Sequence, residues 1–388
     1  MYAIGQEEVD AIRKVFESGK PFRYFEGGQC ETFEKRYAEF IGSEYVHMTS
    51  SGTTAITACL AGLGIGPGDE VLVPACTYMA TAVAVLAVGA IPVIIDIDES
   101  VTIDPGEIAK KAGPATRAVI PVHMWGLPCD MDRIMDVADR CDLLVIEDAC
   151  QGVGGGYKDQ MLGSIGDAGA FSFNYFKNMT CGEGGAAVTN DDKVFERIKC
   201  MIDCCGMYWS GRSDSVDDVF SNAGSRASEI EGAIMNVQLH RLPKIINTLR
   251  HNKFKILEAT VSGGLKPIQH NSPESECGSH LMYLLPDNEL AVKFAEAIGG
   301  CVASQTGRHV YTEWDQILSK KGAHHPLMNP YNMPANKRCR MNYDKQMCQR
   351  SLDILNRVVF IGMQINHSAT DLKEKISLIN SAKAKLGL

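Results

Sequence analysis

The chain has 388 residues, of which 45% are hydrophobic and 22% are charged, and its net charge is −9 at pH 7. These values are typical of a globular enzyme of about two domains, and the negative charge argues against nucleic acid as a main partner. No apolar run approaches the roughly 20 residues of a membrane helix, and the N-terminus predicts no signal peptide. The 14 cysteines show no CxxC or zinc spacing, which predicts reduced thiols, a cytoplasmic location and no metal site.

Strand-like and helix-like segments alternate in the first half of the chain. Strands are predicted at residues 45–48, 70–74, 91–95, 119–122 and 143–146, and helices at residues 53–63, 78–88 and 131–140. Continuous apolar strands that alternate with helices predict an α/β fold with a mainly parallel sheet covered by helices on both faces. In such sheets, ligands bind beyond the carboxyl ends of the strands.

From residue 195 onwards the pattern becomes helical. A long helix is predicted at residues 226–247, with a kink or break at Pro243. After a loop-rich stretch, a strand at residues 281–285 and helices at residues 290–298 and 372–386 form a second α+β section. We therefore predict a large domain over residues 1–250 and a small C-terminal domain over residues 251–388.

One lysine, Lys177, lies in an otherwise uncharged segment that ends in Gly182-Glu-Gly-Gly185. Phe171 to Phe173 indicate a strand end, and the glycines indicate tight turns. A lysine that follows a buried strand can meet a ligand in a cleft, and desolvation favours its nucleophilic neutral amine. Schiff-base chemistry, above all with pyridoxal phosphate, requires such a lysine. A surface lysine that happens to follow a strand is the alternative interpretation.

A pyridoxal phosphate site also needs backbone N–H groups for the phosphate and a carboxylate for the ring nitrogen. Gly52 and Thr53 start a predicted helix and can provide the N–H groups, although an ordinary helix cap explains the same residues. Asp148 ends a predicted strand and can provide the carboxylate, with an aspartate that binds loop amides as the alternative. Its neighbour Glu147 should face the opposite way, because side chains alternate along a strand.

Two more side chains suit the same cofactor. Tyr78 can stack on the ring, although a tyrosine packed at a sheet edge is the alternative interpretation. Ser172 can donate to the phosphate, although an isolated serine in a strand is the alternative interpretation. Gly152-Val-Gly-Gly-Gly-Tyr157 also follows a strand, but tyrosine replaces the third glycine of a dinucleotide loop and no helix is predicted after it. We therefore reject a nicotinamide site there.

The chemical candidates occur in a characteristic order. The motifs are Ser51-Gly-Thr53, Thr77-Tyr78, Glu147-Asp-Ala-Cys-Gln151, Gly163-Ser-Ile-Gly-Asp167, Phe171-Ser-Phe173, Lys177-Asn178 and Gly182-Glu-Gly-Gly185. Together they resemble the DegT/DnrJ/EryC1/StrS sugar aminotransferases, which are fold type I pyridoxal phosphate enzymes. The resemblance extends from about residue 5 to the C-terminus and is densest over residues 45–240.

The resemblance implies a role for each candidate. Lys177 would form the Schiff base, Asp148 would pair with the pyridinium nitrogen, and Gln151 would bind the ring hydroxyl. The other implied cofactor contacts are Gly52, Thr53 and Ser172 at the phosphate and Tyr78 on the ring face. His309 and Tyr311, in Gly307-Arg-His-Val-Tyr311, resemble a loop near the substrate.

The implied reaction is a ping-pong transfer of an amino group from glutamate or glutamine to a keto sugar, expected to be nucleotide-linked. The family forms homodimers with active sites at the subunit interface. It usually has Asn-aromatic-Arg before the long helix, and this asparagine reaches the neighbouring subunit's phosphate. Here the chain reads Asn222-Ala-Gly-Ser-Arg226, with Gly224 at the asparagine position. Either Asn222 replaces the contact or the contact is lost.

Four alternatives remain. A keto sugar dehydratase of this family would carry histidine in place of Lys177. A cyclitol or a 3-deoxy-octulosonate-type ketone could be the acceptor, and Lys20-Pro-Phe-Arg-Tyr24 resembles the branch that aminates the latter. A non-enzymatic regulator on this fold would be free to lose Lys177 or Asp148. A nicotinamide oxidoreductase would be identified by its cofactor.

Overall fold

The computed structural model describes residues 3–204 and 219–388. Its α-helices are α1 (Gln6–Glu17), α2 (Gln29–Ile41), α3 (Gly52–Gly62), α4 (Ala80–Ala87), α5 (Pro105–Lys111), α6 (Met131–Cys141), α7 (Asp192–Ile202), α8 (Glu229–Thr260), α9 (Asn288–Ile298), α10 (Asp315–Leu318), α11 (Gln349–Arg357) and α12 (Ala369–Leu386). Its strands are β1 (Tyr45–Thr49), β2 (Glu70–Pro74), β3 (Ile91–Ile95), β4 (Thr116–Val119), β5 (Leu144–Asp148), β6 (Gly156–Tyr157), β7 (Gln160–Met161), β8 (Ala168–Ser172), β9 (Gly185–Thr189), β10 (Lys266–Pro267), β11 (His280–Leu284), β12 (Cys301–Val302) and β13 (Val358–Gly362).

A seven-stranded sheet forms the centre of the larger part of the described chain. Its order is β1-β9-β8-β5-β4-β2-β3. Strands β3, β2, β4, β5 and β8 pair in parallel, whereas β9 pairs antiparallel with both β8 and β1. The carboxyl ends of the parallel strands therefore meet at one edge, where a ligand crevice is expected. The predicted mainly parallel α/β sheet is confirmed.

Alternate residues of each central strand pack into different hydrophobic cores. Val71 and Val73 of β2 join the core that contains residues of α3 and α4, whereas Leu72 joins the core that contains residues of α2, α6 and α8. This alternation follows from the two-residue period of a strand. Both faces of the sheet are covered by helices, which explains why the strands are apolar throughout.

The C-terminal part contains an antiparallel sheet of order β10-β11-β13-β12. Apolar residues of α8, α9 and α12 form a core against it, among them Ile256, Phe294 and Ile379. The predicted small α+β section is therefore present. Among the described residues, no helix is both long and apolar enough to cross a membrane, and the described cysteines are all free thiols.

The long helix α8 connects the two sheets. It begins at the N-cap Ser228, whose side chain accepts a hydrogen bond from Glu231 N, and it continues through Pro243 to Thr260. Of the kink or break predicted at Pro243, the break is wrong, because packing along the whole helix outweighs one missing backbone hydrogen bond. The helix also crosses the proposed domain boundary at residue 250, which stays a prediction.

The glycine-rich segment after β5 packs tightly and forms no dinucleotide loop. Gly154 has φ +81°, and a Cβ atom there would lie 2.8 Å from Ile246 Cγ1 on α8. A Cβ atom at Gly155 would lie 2.7 Å from Cys277 Sγ. The chain then forms the β6–β7 hairpin instead of a helix. Gly154 is therefore needed for close contact with α8 and Gly155 for close contact with Cys277.

Candidate active site

A cleft of about 610 Å³ lies at the carboxyl edge of the parallel strands, between the large sheet and the C-terminal part. Seven of the residues predicted to bind the cofactor or the substrate line it: Gly52, Thr53, Tyr78, Asp148, Gln151, Ser172 and Lys177. His309 also lines the cleft. Tyr311 is fully buried where a short 3-10 turn begins, and its hydroxyl donates to Lys345 O at 2.6 Å. The structure therefore gathers every predicted residue except Tyr311 around one cavity.

The N-terminus of α3 opens into this cleft. Ser51 is the N-cap, and its hydroxyl accepts a hydrogen bond from Thr54 N at 3.2 Å. No described residue accepts a hydrogen bond from the backbone N–H of Gly52 or Thr53, as expected for the first turn of a helix. The sequence pattern is thus both a helix cap and a free pair of N–H donors, which suits an anion.

Gly52 is required by the close approach of three segments. A Cβ atom at this position would lie 2.7 Å from Cys150 Sγ and 2.8 Å from Ser172 Cβ. Burial, followed by the charge of Asp148, raises the pKa of the Cys150 thiol well above its usual value. The thiol is therefore protonated, and its place in the cleft is explained by packing.

Asp148 is a buried carboxylate at the end of β5, with only 4% of its surface exposed. Its Oδ2 accepts from the Thr81 hydroxyl at 2.7 Å, and its Oδ1 accepts from Cys150 N at 3.1 Å. It forms no ion pair with any described residue. A buried carboxylate is costly without a cation, so Asp148 is suited to a cationic group of a ligand.

Glu147 faces away from the cleft, in agreement with the alternation along β5. Its two carboxylate oxygens accept hydrogen bonds from the backbone N–H groups of Gly163, Ile165 and Gly166. The ring of His123 contacts the same carboxylate at 2.9 Å. Glu147 therefore holds the loop before β8, and the two acids do not form a paired acid/base site.

Lys177 lies in a tight turn after β8. Its backbone N–H donates to Asn174 O at 3.0 Å, and its side chain is half-buried and lines the cleft. The adjacent Asn178 donates from Nδ2 to Val153 O at 3.1 Å, which attaches the turn to the segment after β5. Lys177 and Asp148 thus reach one cavity from adjacent parallel strands.

Gln151 has a defined amide orientation. Its Oε1 accepts a hydrogen bond from the backbone N–H of Trp125 at 3.1 Å. Because an N–H group can only donate, the oxygen must face Trp125, and the Nε2 group remains as a donor. A donor at this position can bind an anionic ring oxygen.

The C-terminal part covers the cleft from the other side. The backbone N–H of Thr77 donates to His309 O at 3.0 Å, and that of Met79 donates to Arg308 O at 3.1 Å. The Arg308 guanidinium lies 5.5 Å from the centre of the Tyr78 ring, in cation–π geometry. Burial lowers the pKa of His309, and the charges of Lys177 and Arg308 lower it further.

The cleft residues that were not predicted as ligand-binding residues include Trp125, Ser279, His280 and Arg308. Trp125 follows the carboxyl end of β4, and this position in the sequence could have indicated that it lies at the ligand crevice. His280 begins β11 and Ser279 directly precedes it, more than 100 residues after Lys177 in the sequence, and no local motif marks them. Their place in the cleft is a consequence of the tertiary fold.

The segment with the family departure lies against β1. Ser225 O accepts a hydrogen bond from Ser50 N at 2.8 Å, and Asn222 Nδ2 donates to Met201 O at 2.7 Å. Gly224 is exposed, and a Cβ atom there would meet nothing within 4 Å. The amide of Asn222 is therefore engaged within its own subunit.

The fold, with its cleft at the carboxyl edge of a mainly parallel sheet, defines an enzyme of the fold type I class. The model of the DegT/DnrJ/EryC1/StrS aminotransferase family matches residues 2–298. The chain belongs to this family of aminotransferases.

Two curated relatives are similar in sequence. The spore coat polysaccharide biosynthesis protein SpsC of Bacillus subtilis (strain 168) is 34% identical over 303 residues, which are 74% of this chain and 75% of the relative. The dTDP-3-amino-3,4,6-trideoxy-alpha-D-glucose transaminase of Streptomyces venezuelae is 39% identical over 234 residues, which are 60% of this chain and 59% of the relative.

Solved structures show the same fold over the whole length. An aminotransferase from Psychrobacter cryohalolentis has a TM-score of 0.78 at 25% identity, covering 100% of this chain and 98% of that one. The DesV enzyme of S. venezuelae, solved with a ketimine intermediate, has a TM-score of 0.74 at 27% identity, covering 97% and 94%. These similarities confirm the predicted fold type I architecture.

Proposed function

We propose that the chain is a pyridoxal phosphate-dependent aminotransferase that moves an amino group from glutamate or glutamine to a keto sugar. The observation that carries the proposal is the convergence of three groups in one cleft. These are the buried, unpaired carboxylate of Asp148, the free N–H groups at the start of α3, and the amine of Lys177. A cationic ring nitrogen, a phosphate and an aldehyde are the matching parts of the cofactor.

When bound, pyridoxal phosphate supplies a carbonyl carbon that accepts the amino group and a protonated ring that withdraws electrons. Asp148 holds the proton on the ring nitrogen, and Thr81 and Cys150 N hold Asp148 in place. Gln151 donates from Nε2 to the ring hydroxyl oxygen. Gly52, Thr53 and Ser172 bind the phosphate, and Tyr78 covers the ring face.

Lys177 has two tasks in this proposal. Its Nζ would hold the cofactor covalently, and, once free, the same amine would act as the base and acid that accepts a proton from the substrate carbon and gives it back. The reaction then has two halves, in which the donor leaves as a keto acid before the keto sugar enters.

The keto sugar is supported by the curated relatives, which are named for a spore coat polysaccharide and for an amino sugar. We propose a nucleotide-linked keto sugar as the amino acceptor. A cyclitol ketone or a 3-deoxy-octulosonate-type ketone is the alternative acceptor, and the same assay tests both. A dehydratase of the same family would have histidine at position 177, so the lysine favours transamination.

We also propose a homodimer with active sites at its interface. Phe176 lines the cleft and is 69% exposed, and Phe25 is 41% exposed. Aromatic groups of this size are typical of interfaces, and a second subunit over Phe176 would help to close the cleft. Light scattering after gel filtration tests the dimer: a monomeric holoenzyme would contradict it. A cytoplasmic location stays a prediction of the sequence.

The test of the activity is a spectroscopic cycle. The purified protein, supplied with pyridoxal phosphate, should be yellow and should lose that absorbance with glutamate or glutamine. A panel of nucleotide-linked keto sugars, cyclitol ketones and 3-deoxy-octulosonates is then screened for the one that restores it. Lys177→Ala should not complete the cycle, whereas the surface variant Lys158→Ala should. Full turnover by Lys177→Ala would overturn the proposal.

A further inference from the structure

Trp125 has a backbone conformation that is unusual for a bulky residue. It lies in the left-handed region, with φ 54° and ψ 25°. Both polar groups of its backbone are used: its N–H donates to Gln151, and its C=O accepts from the Ser279 hydroxyl at 2.8 Å. The carbonyl also lies 3.2 Å from Nδ1 of His280. This one residue therefore contacts polar side chains on opposite walls of the cleft.

These contacts determine which nitrogen of His280 carries the proton. A carbonyl oxygen can only accept, so the 3.2 Å contact to Trp125 O requires a proton on Nδ1. Ser279 Oγ also lies 3.1 Å from Nδ1, but its single proton is already directed to Trp125 O. Nδ1 is therefore the donor in both contacts.

The second nitrogen of His280 is consequently a free acceptor. Burial lowers the pKa of His280 to about 4, so the ring is neutral near pH 7 and Nε2 carries a lone pair. No described residue forms a hydrogen bond with Nε2. His280 lines the cleft beside the Trp125 ring, whose centre is 6.2 Å away.

We propose that Nε2 of His280 accepts a hydrogen bond from a hydroxyl group of the keto sugar and so positions this substrate. The inference rests on the proposed function for its substrate class. The acceptor is matched to a polyhydroxylated ketone, because a hydroxyl needs an acceptor and a neutral imidazole provides one without a charge. The adjacent Trp125 ring offers an apolar surface for the sugar carbons.

The kinetic test uses two variants of the holoenzyme. His280→Phe keeps a ring but removes the acceptor, whereas His280→Gln places an amide oxygen near the position of Nε2. The probe is the panel ketone that restores the absorbance, beginning with the dTDP-linked 3-keto sugar that corresponds to the amino sugar of the Streptomyces relative. We expect His280→Phe to lower the second-order rate constant of the ketone half-reaction by about 5- to 10-fold, the range of one neutral hydrogen bond.

The donor half-reaction serves as the internal control. Its rate should change less than about twofold in both variants, and His280→Gln should keep most of the ketone half-reaction. An equal loss in both half-reactions would show a merely structural role, and an unchanged ketone half-reaction in His280→Phe would remove the proposed contact. Either outcome overturns the inference.

The tautomer can be measured without any turnover. The ¹⁵N NMR spectrum of holoenzyme labelled with ¹⁵N-histidine should contain, at pH 7, the signal of a neutral ring protonated on Nδ1. This signal is assigned to His280 by its absence from the spectrum of His280→Gln. A proton on Nε2, or a charged ring, would overturn the inference and leave the proposed function untouched. Failure of every ketone in the panel would instead count against the proposed function.

Discussion

Gly52 has no room for a side chain at the point where α3 begins. A Cβ atom would lie within 2.8 Å of both Cys150 Sγ and Ser172 Cβ, a distance at which one of the segments must shift. Any shift changes the direction of the free N–H groups of the first helical turn. Residue 52 therefore determines the geometry of the proposed phosphate site.

We predict that Gly52→Ala weakens pyridoxal phosphate binding by at least about 10-fold, because one misplaced charge-assisted hydrogen bond costs about 1.5–3 kcal/mol. Equilibrium dialysis of the apoenzyme against the cofactor measures the affinity. Gly362→Ala is the matched control, because a Cβ atom there meets nothing within 4 Å. Unchanged affinity in Gly52→Ala would show that the phosphate binds elsewhere.

The cleft positions of the proposed cofactor residues could be predicted from single residues, but those of Ser279 and His280 could not. Gly52, Asp148 and Lys177 each lie next to a strand or helix end that the apolar pattern reveals. Ser279 and His280 follow a loop with no such signal, and the role proposed for His280 depends on contact with Trp125, which the sequence does not show. Tyr311 was predicted to lie near the substrate but does not line the cleft, because a 3-10 turn begins there and its hydroxyl donates to Lys345 O.

Among the elements, buried parallel strands were the easiest to predict. Predicted and observed bounds agree at Glu70–Pro74 and Ile91–Ile95, because each strand contains a run of at least four consecutive apolar residues. The long helix α8 extends to Thr260, beyond the predicted residue 247. Its second half carries a mixed pattern, since two different cores contact it.

Helix α8 also holds the loop before β11 through a buried ion pair. Lys253 of α8 binds Glu276, and each side chain is 1% exposed. The other oxygen of Glu276 contacts His270 Nδ1 at 2.6 Å. Because Ser279 and His280 follow this loop directly, the ion pair also supports the wall of the cleft that they form.

We predict that Lys253→Met lowers the free energy of unfolding by about 3–5 kcal/mol, because it leaves the Glu276 carboxylate buried without its cation. The double variant Lys253→Met/Glu276→Gln removes both charges, keeps a partner for His270, and should recover most of the loss. Urea unfolding followed by fluorescence measures both. A single variant as stable as the wild type would show that the pair contributes nothing.

Burial lowers the pKa of several histidines in different parts of the molecule, among them His47, His280 and His309. His47 is 5% exposed, and the guanidinium of Arg23 donates to its Nδ1 at 3.0 Å. Burial lowers the pKa of His47 well below its usual value, and the charges of Arg23 and Lys199 lower it further. The unfolded chain therefore binds a proton at this position near pH 6.5, whereas the folded chain does not.

We predict that the protein loses stability as the pH falls from about 6.5 to 5, because the unfolded state takes up more protons than the folded state. Each such histidine contributes up to about 1.4 kcal/mol per pH unit. Urea midpoints at pH 7.5, 6.5 and about 5 measure the slope. His47→Gln keeps an acceptor for Arg23, and its stability should depend less steeply on pH than that of the wild type. An equal dependence on pH would show that His47 does not contribute.

The fold class could be predicted because strands and helices alternate in the apolar pattern of the sequence. The arrangement of the two sheets relative to each other could not be predicted. It depends on α8, whose continuity through Pro243 results from packing on both sides, and on contacts such as Thr77 N to His309 O. Those contacts join segments more than 200 residues apart in the sequence, and they close the cleft.

Borohydride reduction followed by peptide mapping tests whether Lys177 attaches the cofactor. Holoenzyme is reduced, digested and analysed by mass spectrometry for a pyridoxyl group on lysine. We predict one such group per chain, on Lys177, and none on the buried lysines Lys199 and Lys253. A pyridoxyl group on another lysine, or none at all in protein that has bound the cofactor, would show that Lys177 does not form the Schiff base.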